Sequence, residues 1–296
     1  MGLAFSVIIP CYNQGRFCKE AVSSVLEQTF QDFEIIIVND HSSDVETNHI
    51  LSNFEAPKTT IISLDENHGV SFARNTGIKA AKGKYILPLD ADDKIAPTYL
   101  EKAFNILEQN NSIGIVYCKA ELFGKQTGEW ELKKYSLKQI LNDNCIFVSA
   151  CFRKSAWEEV GGFKENMLYS LEDWDFWLSL IENGCDVYQI PEILFFYRKH
   201  SVSRTIQAIP YSENSFEQII LNHLSLFSRN VRHLKKRMLT TFFNKKIRKK
   251  IKNKNISYYR CFFKYLLHQF FWGFKAYLLF PIYICRIYEL SKKGKL

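Results

Sequence analysis

Three common sequence features are missing from this chain of 296 residues, and each absence excludes a class of function. The eight cysteines are scattered and form no C-x-x-C pair, which argues against a zinc site or a disulfide framework and favours reduced thiols. No G-x-G-x-x-G motif follows the first predicted strand, which disfavours a dinucleotide-binding oxidoreductase. The C-terminal part has no run of about 18 uncharged apolar residues, because Lys275 interrupts the best candidate, 265–285. This absence disfavours a membrane-spanning helix.

Positive charge is concentrated in the C-terminal part of the chain. Residues 229–296 hold 19 of the 39 Lys and Arg residues and a single acid, Glu289, whereas the preceding residues hold 20 basic and 30 acidic side chains. Aromatic and basic residues alternate there, as in helices that lie in the interface of an anionic membrane. A nucleic-acid-binding arm, a pair of protein-docking helices and a single tilted membrane span are the alternatives.

Alternating strand and helix patterns predict an α/β fold with a mostly parallel sheet in the first 200 residues. Segment 121–144 has no readable pattern, and 215–243 has amphipathic helical spacing. Strands are predicted over 5–10, 34–38, 59–63, 84–89, 113–118, 146–152, 186–190 and 193–197, the last two separated by Pro191. Helices are predicted over 14–28, 44–53, 69–80, 97–109, 155–160 and 171–183, with a Gly-Gly turn at 161–162.

The stretch K-Y-I-L-P-L-D-A-D-D at 84–93 is the centre of the predicted sheet. A buried apolar strand ends there in three carboxylates, Asp90, Asp92 and Asp93, at the edge where open α/β sheets bind their ligands. Carboxylates this close repel one another unless a positive charge lies between them. A Mg²⁺ or Mn²⁺ ion with phosphate co-ligands is one interpretation. A solvated acidic turn before the next helix is the other.

Other polar residues are predicted to meet the same edge. Asp40 follows the second strand and is placed to accept a hydrogen bond from a nucleobase, or is simply a loop acid that caps a helix. Tyr12 follows the first strand and is placed to stack on a base, or is an ordinary exposed tyrosine. Arg74 and Asn75 lie on a nearby helix, where they are placed to contact a diphosphate. The alternative for Arg74 is a surface salt bridge.

Asp173 is the candidate general base. It lies in the first turn of a predicted helix, whose dipole favours the carboxylate, while Trp174 and Trp177 would desolvate it and raise its pKa. The alternative is an acid that only stabilises the helix dipole. His200 is a candidate metal ligand or phosphate contact, although an isolated histidine is more often neither.

The motifs in their order resemble the inverting glycosyltransferases of family 2. Each motif alone is weak, whereas the ordered set is specific and spans about residues 4–205. The set comprises V-I-I-P-C-Y-N (7–13), I-I-V-N-D-H-S-S-D (36–44), N-x-G-x-x-x-A-R-N-x-G (67–77), L-D-A-D-D (89–93), G-G-F (161–163), E-D-W-D-F-W-L (172–178) and Y-R-K-H-x-x-S (197–203).

The resemblance implies a GT-A fold, which is a Rossmann-like sheet flanked by helices. It also implies that the donor is a nucleotide-diphospho-sugar. Two residues depart from the family pattern. Asn39 stands where the family often has Asp, and His41 stands where Gly is usual, so His41 would need left-handed backbone. The implied nucleotide-binding residues are Pro10, Tyr12, Asn13, Asp40, Arg74, Asn75, Asp90 and Ala91.

The resemblance also implies a metal ion and a general base. Mn²⁺ or Mg²⁺ would be bound by Asp92, with Asp90 and His200 beside it. Asp173 would take a proton from the acceptor hydroxyl as that oxygen displaces the diphosphate with inversion, without a covalent intermediate. The implied active-site neighbours on the acceptor side are Glu172 and Trp174.

We therefore expect a GT-A domain over 1–210 and a helical, basic and aromatic-rich membrane-association region over 211–296. The expected activity is sugar transfer from a UDP-sugar to a glycan or lipid-linked glycan in bacterial O-antigen, lipooligosaccharide or capsule synthesis, at the cytoplasmic face of the membrane. A sugar-nucleotidyltransferase would have a Gly-rich phosphate loop near the N-terminus, which is missing. A nucleic-acid-binding role for the basic tail leaves Asp40, Asp90, Asp92 and Asp173 unexplained, so no nucleic acid is expected as partner.

Overall fold

A computed structural model describes residues 2–200 and 208–242. Its centre is one mixed sheet flanked by helices. The nine strands are β1 (Phe5–Cys11), β2 (Phe33–Asn39), β3 (Thr59–Ser63), β4 (Tyr85–Pro88), β5 (Lys94–Ile95), β6 (Ile113–Gly124), β7 (Gly128–Trp130), β8 (Cys151–Arg153) and β9 (Asp186–Lys199). The helices up to residue 200 are α1 (Gly15–Leu26), α2 (Val45–Ser52), α3 (Val70–Ala80), α4 (Tyr99–Gln109), α5 (Leu137–Ile140), α6 (Lys154–Val160) and α7 (Glu172–Glu182).

The sheet has the strand order β3-β2-β1-β4-β8-β6-β9-β5, with β7 paired to β6. Strands β1 to β4 pair in parallel, as does β6 with β9, so the predicted mostly parallel sheet is confirmed. Both β1 and β4 are buried along their whole length, which explains their largely apolar sequence. The buried Ser6 of β1 donates to Glu34 Oε1 at 2.6 Å. The Asp44 side chain accepts a hydrogen bond from the Thr47 backbone at 2.9 Å and caps α2, as the sequence predicts.

The strand predicted over 146–152 is mostly wrong, because only β8 (Cys151–Arg153) pairs there. Side chains satisfy the preceding backbone instead of a neighbouring strand. The Trp177 indole donates to the Ile146 carbonyl at 3.1 Å, and the Tyr99 hydroxyl donates to the Ser149 carbonyl at 2.9 Å. The segment is therefore buried and apolar like a strand, yet irregular.

The predicted break at Pro191 is also wrong, because β9 runs continuously through it. The register with β6 skips at this point: Cys118 pairs with Ile190, and Lys119 pairs with Ile193. A proline has no backbone N–H to donate, so it is tolerated where a bulge interrupts the ladder. β5, β7 and α5 are elements that the sequence analysis did not predict.

By contacts the chain divides into two compact units, Met1–His223 and Leu224–Leu296. Within the first unit, helix Ser212–Asn222 confirms part of the helical prediction for 215–243, and the described part of the second unit contains Leu224–Arg229 and Lys236–Phe242. No helix within 2–200 or 208–242 is long and apolar enough to cross a membrane. Residues 243–296, which make up most of the basic C-terminal part 229–296, lie outside the described residues. The role of that part therefore stays a prediction.

Candidate active site

Strands β1, β2 and β4 end side by side, and the chain beyond them forms the candidate site. Cys11 pairs with Asn39, and Ile8 pairs with Pro88, so the three carboxyl ends share one edge. The segments that follow begin with Tyr12 after β1, Asp40 after β2 and Leu89 after β4. The predicted convergence of these segments is therefore found.

The residues after β1 differ in what they present. Pro10 is buried within the strand, whereas Tyr12 is 45% exposed. Asn13 adopts a φ of 56° and joins two loops. Its Oδ1 accepts from the Asp44 backbone N–H at 2.9 Å, and its Nδ2 donates to Ser43 at 3.1 Å. Asn13 thus shapes this edge, and Tyr12 presents a ring on it.

Asp40 is buried and holds the start of α3. Its carboxylate accepts from the His68 and Gly69 backbone N–H groups, each at 2.9 Å, and from Asn67 Nδ2 at 3.1 Å. Gly69 precedes α3, so the capping alternative for Asp40 describes much of what it does. The next residue, His41, has a φ of 52°, which confirms the left-handed backbone expected at this position.

Arg74 is the centre of the site. Its side chain is 2% exposed and lies between two acids: Nη2 donates to Asp90 at 2.7 Å, and Nη1 donates to Glu172 at 2.9 Å. One guanidinium therefore joins α3, the acidic segment after β4 and the first turn of α7. The predicted salt bridge of Arg74 is found, although it is buried rather than on the surface. Contact of Arg74 with a diphosphate stays a prediction.

Asn75 is engaged with the turn after α6. Its Nδ2 donates to the Phe163 carbonyl at 2.8 Å, while its Oδ1 accepts from the Phe163 backbone at 2.9 Å and from the Trp157 indole at 3.1 Å. Gly161 and Gly162 both have a φ of 79°, a conformation that favours glycine. These bonds explain the G-G-F motif by structure, and a nucleotide contact by Asn75 stays a prediction.

Asp92 and His200 form the second cluster. The imidazole Nε2 lies 2.8 Å from Asp92 Oδ2, and Gln14 donates to the same oxygen at 3.2 Å. Burial, and then the negative charge of Asp90, raises the pKa of the Asp92 carboxyl. Ala91, between the two acids, is buried. Additional positive charge beside Asp92 would therefore stabilise the carboxylate.

Arg198 fixes this cluster and was not singled out from the sequence. Its backbone N–H donates to the buried Asp93 at 2.8 Å, and its Nε donates to the Asp92 carbonyl at 2.8 Å. The guanidinium lies over the rings of Phe17 and Phe123 and pairs with Glu20. Its position two residues before His200 in the Y-R-K-H run was the available signal.

Asp173 lies on the first turn of α7 beside this centre. Burial, and then the charge of Glu172, raises the pKa of Asp173 to about 7. The Trp174 backbone N–H donates to its Oδ1 at 2.7 Å, and Asn144 donates to its Oδ2 at 2.9 Å. Trp174 itself is 1% exposed, and its indole donates to the Ile140 carbonyl. Asn144 was missed because segment 121–144 has no readable pattern.

A divalent cation fits part of this arrangement. Within residues 2–200 and 208–242, no three His, Cys, Asp or Glu side chains form a cluster that would hold a metal ion alone. Asp92 and His200 nevertheless offer an oxygen and a nitrogen donor side by side, while Asp90 is hydrogen-bonded to Arg74. Mg²⁺ and Mn²⁺ commonly take one or two protein ligands and complete their coordination with water and substrate phosphates. The donor set therefore suits a cation that arrives with a diphosphate.

Comparison with known proteins decides the family. The family model "Glycosyl transferase family 2" matches residues 6–161, more than half of the chain. This chain is a family 2 glycosyltransferase. The matched residues include the edge loops, Arg74 and the acidic segment after β4, so the resemblance stated from the motifs is confirmed.

Named relatives agree with this membership. An uncharacterized glycosyltransferase of Haemophilus influenzae is 32% identical over 232 residues, which cover 73% of this chain and 78% of that protein. A putative teichuronic acid biosynthesis glycosyltransferase of Bacillus subtilis, TuaG, is 29% identical over 198 residues, which cover 65% of this chain and 78% of that protein. Relatives of this family 2 glycosyltransferase thus include proteins named for cell-surface polymers.

Solved structures confirm the GT-A fold. Residues 1–349 of Staphylococcus aureus TarS in complex with UDP-GlcNAc match with a TM-score of 0.63 and 17% identity, covering 90% of this chain and 79% of that one. The mannosyltransferase PcManGT of Pyrobaculum calidifontis, in complex with GDP-Man and Mn²⁺, matches with a TM-score of 0.57 and 17% identity, covering 96% and 80%. At these identities the likeness establishes the fold alone.

Proposed function

We propose that this family 2 glycosyltransferase is a metal-dependent inverting enzyme that moves a hexose from a nucleotide-diphospho-sugar to an acceptor hydroxyl. The observation that carries the proposal is the Arg74 bridge between Asp90 and Glu172. The bridge brings the acidic segment after β4 next to the helix that starts with Glu172 and Asp173. A cation-binding group and a proton acceptor thereby lie at the same sheet edge.

The donor would be bound at the ends of β1, β2 and β4. Tyr12 offers an exposed ring for the base, and Asp40 a carboxylate beside it. Asp92 and His200, with Asp90 nearby, would hold Mn²⁺ or Mg²⁺, which supplies positive charge to the departing diphosphate. Structural neighbours in complex with UDP-GlcNAc, and with GDP-Man and Mn²⁺, support a nucleotide-sugar donor and a cation. We propose a UDP-sugar as donor.

Asp173 would act as the general base. With a pKa of about 7 its carboxyl is partly ionised at neutral pH and able to take a proton from the acceptor hydroxyl. The deprotonated oxygen would attack the anomeric carbon as the bond to the diphosphate breaks, which inverts the configuration. Glu172 is paired with Arg74. A single displacement forms no covalent glycosyl-enzyme, so no second carboxylate is needed as a nucleophile.

The acceptor is proposed from the relatives and from the charge pattern. TuaG is named for teichuronic acid biosynthesis, which supports a glycan or lipid-linked glycan of a bacterial surface polymer, such as O-antigen, lipooligosaccharide or capsule. The basic and aromatic residues of 229–296 would hold the protein on the anionic cytoplasmic face of the membrane as a peripheral protein. On this proposal 1–210 transfers the sugar and 211–296 binds the membrane.

The products formed from nucleotide-sugars test the proposed reaction. The protein with Mn²⁺ is expected to release a nucleoside diphosphate from one nucleotide-sugar of a panel, slowly with water as acceptor and faster with a glycan acceptor. Asp92→Ala is expected to reduce this release at least about 100-fold, because the leaving diphosphate loses its stabilising charge. High-performance liquid chromatography of the nucleotides measures it. Formation of a nucleoside triphosphate and a sugar 1-phosphate on addition of pyrophosphate would instead identify a nucleotidyltransferase.

A further inference from the structure

Two N–H groups hold the Asp173 carboxylate from different parts of the chain. The Trp174 backbone donates to Oδ1 at 2.7 Å. The Asn144 side chain, 29 positions earlier, donates to Oδ2 at 2.9 Å. A carboxylate with one hydrogen bond on each oxygen cannot rotate freely about its side-chain torsion, so its remaining lone pairs point in fixed directions.

The amide of Asn144 is itself fixed in orientation. Its Oδ1 accepts from the Ile146 backbone N–H at 3.2 Å, which leaves the Nδ2 group to face Asp173. The surrounding segment is tied to α7 at two further points. The Trp174 indole donates to the Ile140 carbonyl at 2.7 Å, and the Trp177 indole donates to the Ile146 carbonyl at 3.1 Å. Segment 140–146 therefore holds Asn144 in place beside the base.

We propose that Asn144 is a positioning residue that orients the Asp173 carboxylate and keeps it ionised for proton transfer. This inference rests on the proposed role of Asp173 as general base. An amide N–H hydrogen-bonds a carboxylate more strongly than it does a neutral carboxylic acid, so it favours the form that accepts a proton. The Asn144 amide is neutral, so it favours the carboxylate without placing another charge beside Asp173.

Two charged groups also face Asp173. Glu172, on the same helix, raises the pKa of Asp173, as burial does to a larger extent. Arg74, on α3, lowers it, and so do the hydrogen bonds from Trp174 and Asn144. Arg74 is already paired with Asp90 and Glu172, and the Trp174 bond belongs to the backbone. Asn144 is thus the neutral side chain through which the ionisation of Asp173 can be changed by one substitution.

The pH dependence of kcat/KM in the full-length protein tests this role. In the wild type, nucleoside diphosphate release is expected to fall as the pH drops below about 7, because the base becomes protonated. Asn144→Ala removes a bond that favours the carboxylate, so the acid limb should move up by about one pH unit. Activity below the midpoint then falls about tenfold and recovers partly at alkaline pH. Asn144→Asp, which is nearly isosteric, places a second carboxylate against Asp173 and should move the limb further.

Ser136→Ala is the matched control. It removes the cap of α5, whose Ser136 Oγ accepts from the Gln139 backbone at 3.1 Å, and so weakens the same segment without touching Asp173. Its acid limb is expected to stay where the wild type has it. If Asn144→Asp folds, as judged by circular dichroism, and its acid limb stays where the wild type has it, the proposal that Asn144 keeps Asp173 ionised is wrong. A shift of equal size in Ser136→Ala would overturn it as well.

Asp173→Asn, assayed in parallel, separates the two proposals. An inactive Asp173→Asn protein together with unmoved Asn144 variants contradicts the role of Asn144 alone. An active Asp173→Asn protein removes the general base, and with it both the proposed mechanism and the positioning role.

Discussion

Asp173→Asn is expected to reduce sugar transfer about 10³-fold or more while UDP binding stays nearly unchanged. Asparagine has almost the same size as aspartate and keeps one oxygen for hydrogen bonding, but it cannot take a proton from an acceptor hydroxyl. On the proposed arrangement the strand ends and Asp92 would hold the donor, and the base would not. Steady-state kinetics with the active nucleotide-sugar measures kcat, and isothermal titration calorimetry measures the UDP dissociation constant.

The control for this variant is Asp143→Asn. Asp143 is an exposed acid in the same segment as Asn144, where it pairs with Lys133 at 2.9 Å. Removal of its charge is expected to leave kcat close to that of the wild type. If Asp173→Asn lost UDP binding together with transfer, Asp173 would belong to the donor site and would no longer be the candidate base.

Arg74→Met is expected to lower the free energy of unfolding by about 3–5 kcal/mol. The substitution removes the guanidinium that lies between Asp90 and Glu172, and the buried Glu172 then loses a 2.9 Å ion pair. An unpaired carboxylate in the interior must either stay desolvated or take up a proton, and both are unfavourable. Urea denaturation followed by tryptophan fluorescence measures the change.

Two further variants define the cause of that loss. Lys84→Met breaks the exposed pair with Glu108 and is expected to cost less than about 1 kcal/mol. The double variant Arg74→Met with Glu172→Gln removes the unpaired charge and should regain part of the stability. A loss in Arg74→Met no larger than in Lys84→Met would mean that the bridge does not hold the site together.

Much of the fold could be predicted because local sequence and tertiary structure agree. Strand β3 and the cap of α2 by Asp44 were predicted from apolar runs and cap residues alone. The convergence of Asp40 with the acidic segment after β4 followed from the parallel sheet, since neighbouring parallel strands end at one edge. Asp173 was singled out from its place in the first turn of a predicted helix, and His200 as an isolated histidine. The family motifs then gave each of them an expected role.

The remaining features depend on contacts that are distant in sequence. Segment 146–150 has the composition of a strand, but Trp177 and Tyr99 bind its carbonyls, and only the fold shows this. Asn144 meets Asp173 through the docking of an irregular segment on α7, so no periodicity marks it. For Asn75 the motif was recognised, whereas the structure shows hydrogen bonds to the Phe163 backbone and the Trp157 indole that the motif alone does not predict.

Thermal stability with nucleotides tests the central claim, a nucleoside diphosphate site that needs a cation, most directly. Melting temperatures are measured with UDP, GDP, CDP, ADP and dTDP, each with and without Mn²⁺, since a ligand that binds only the folded protein raises the melting temperature. The account predicts a rise with one nucleotide that requires Mn²⁺ and is lost in Asp92→Ala. No rise with any nucleotide, even with anionic lipid vesicles present, or a rise that Asp92→Ala retains, would contradict it.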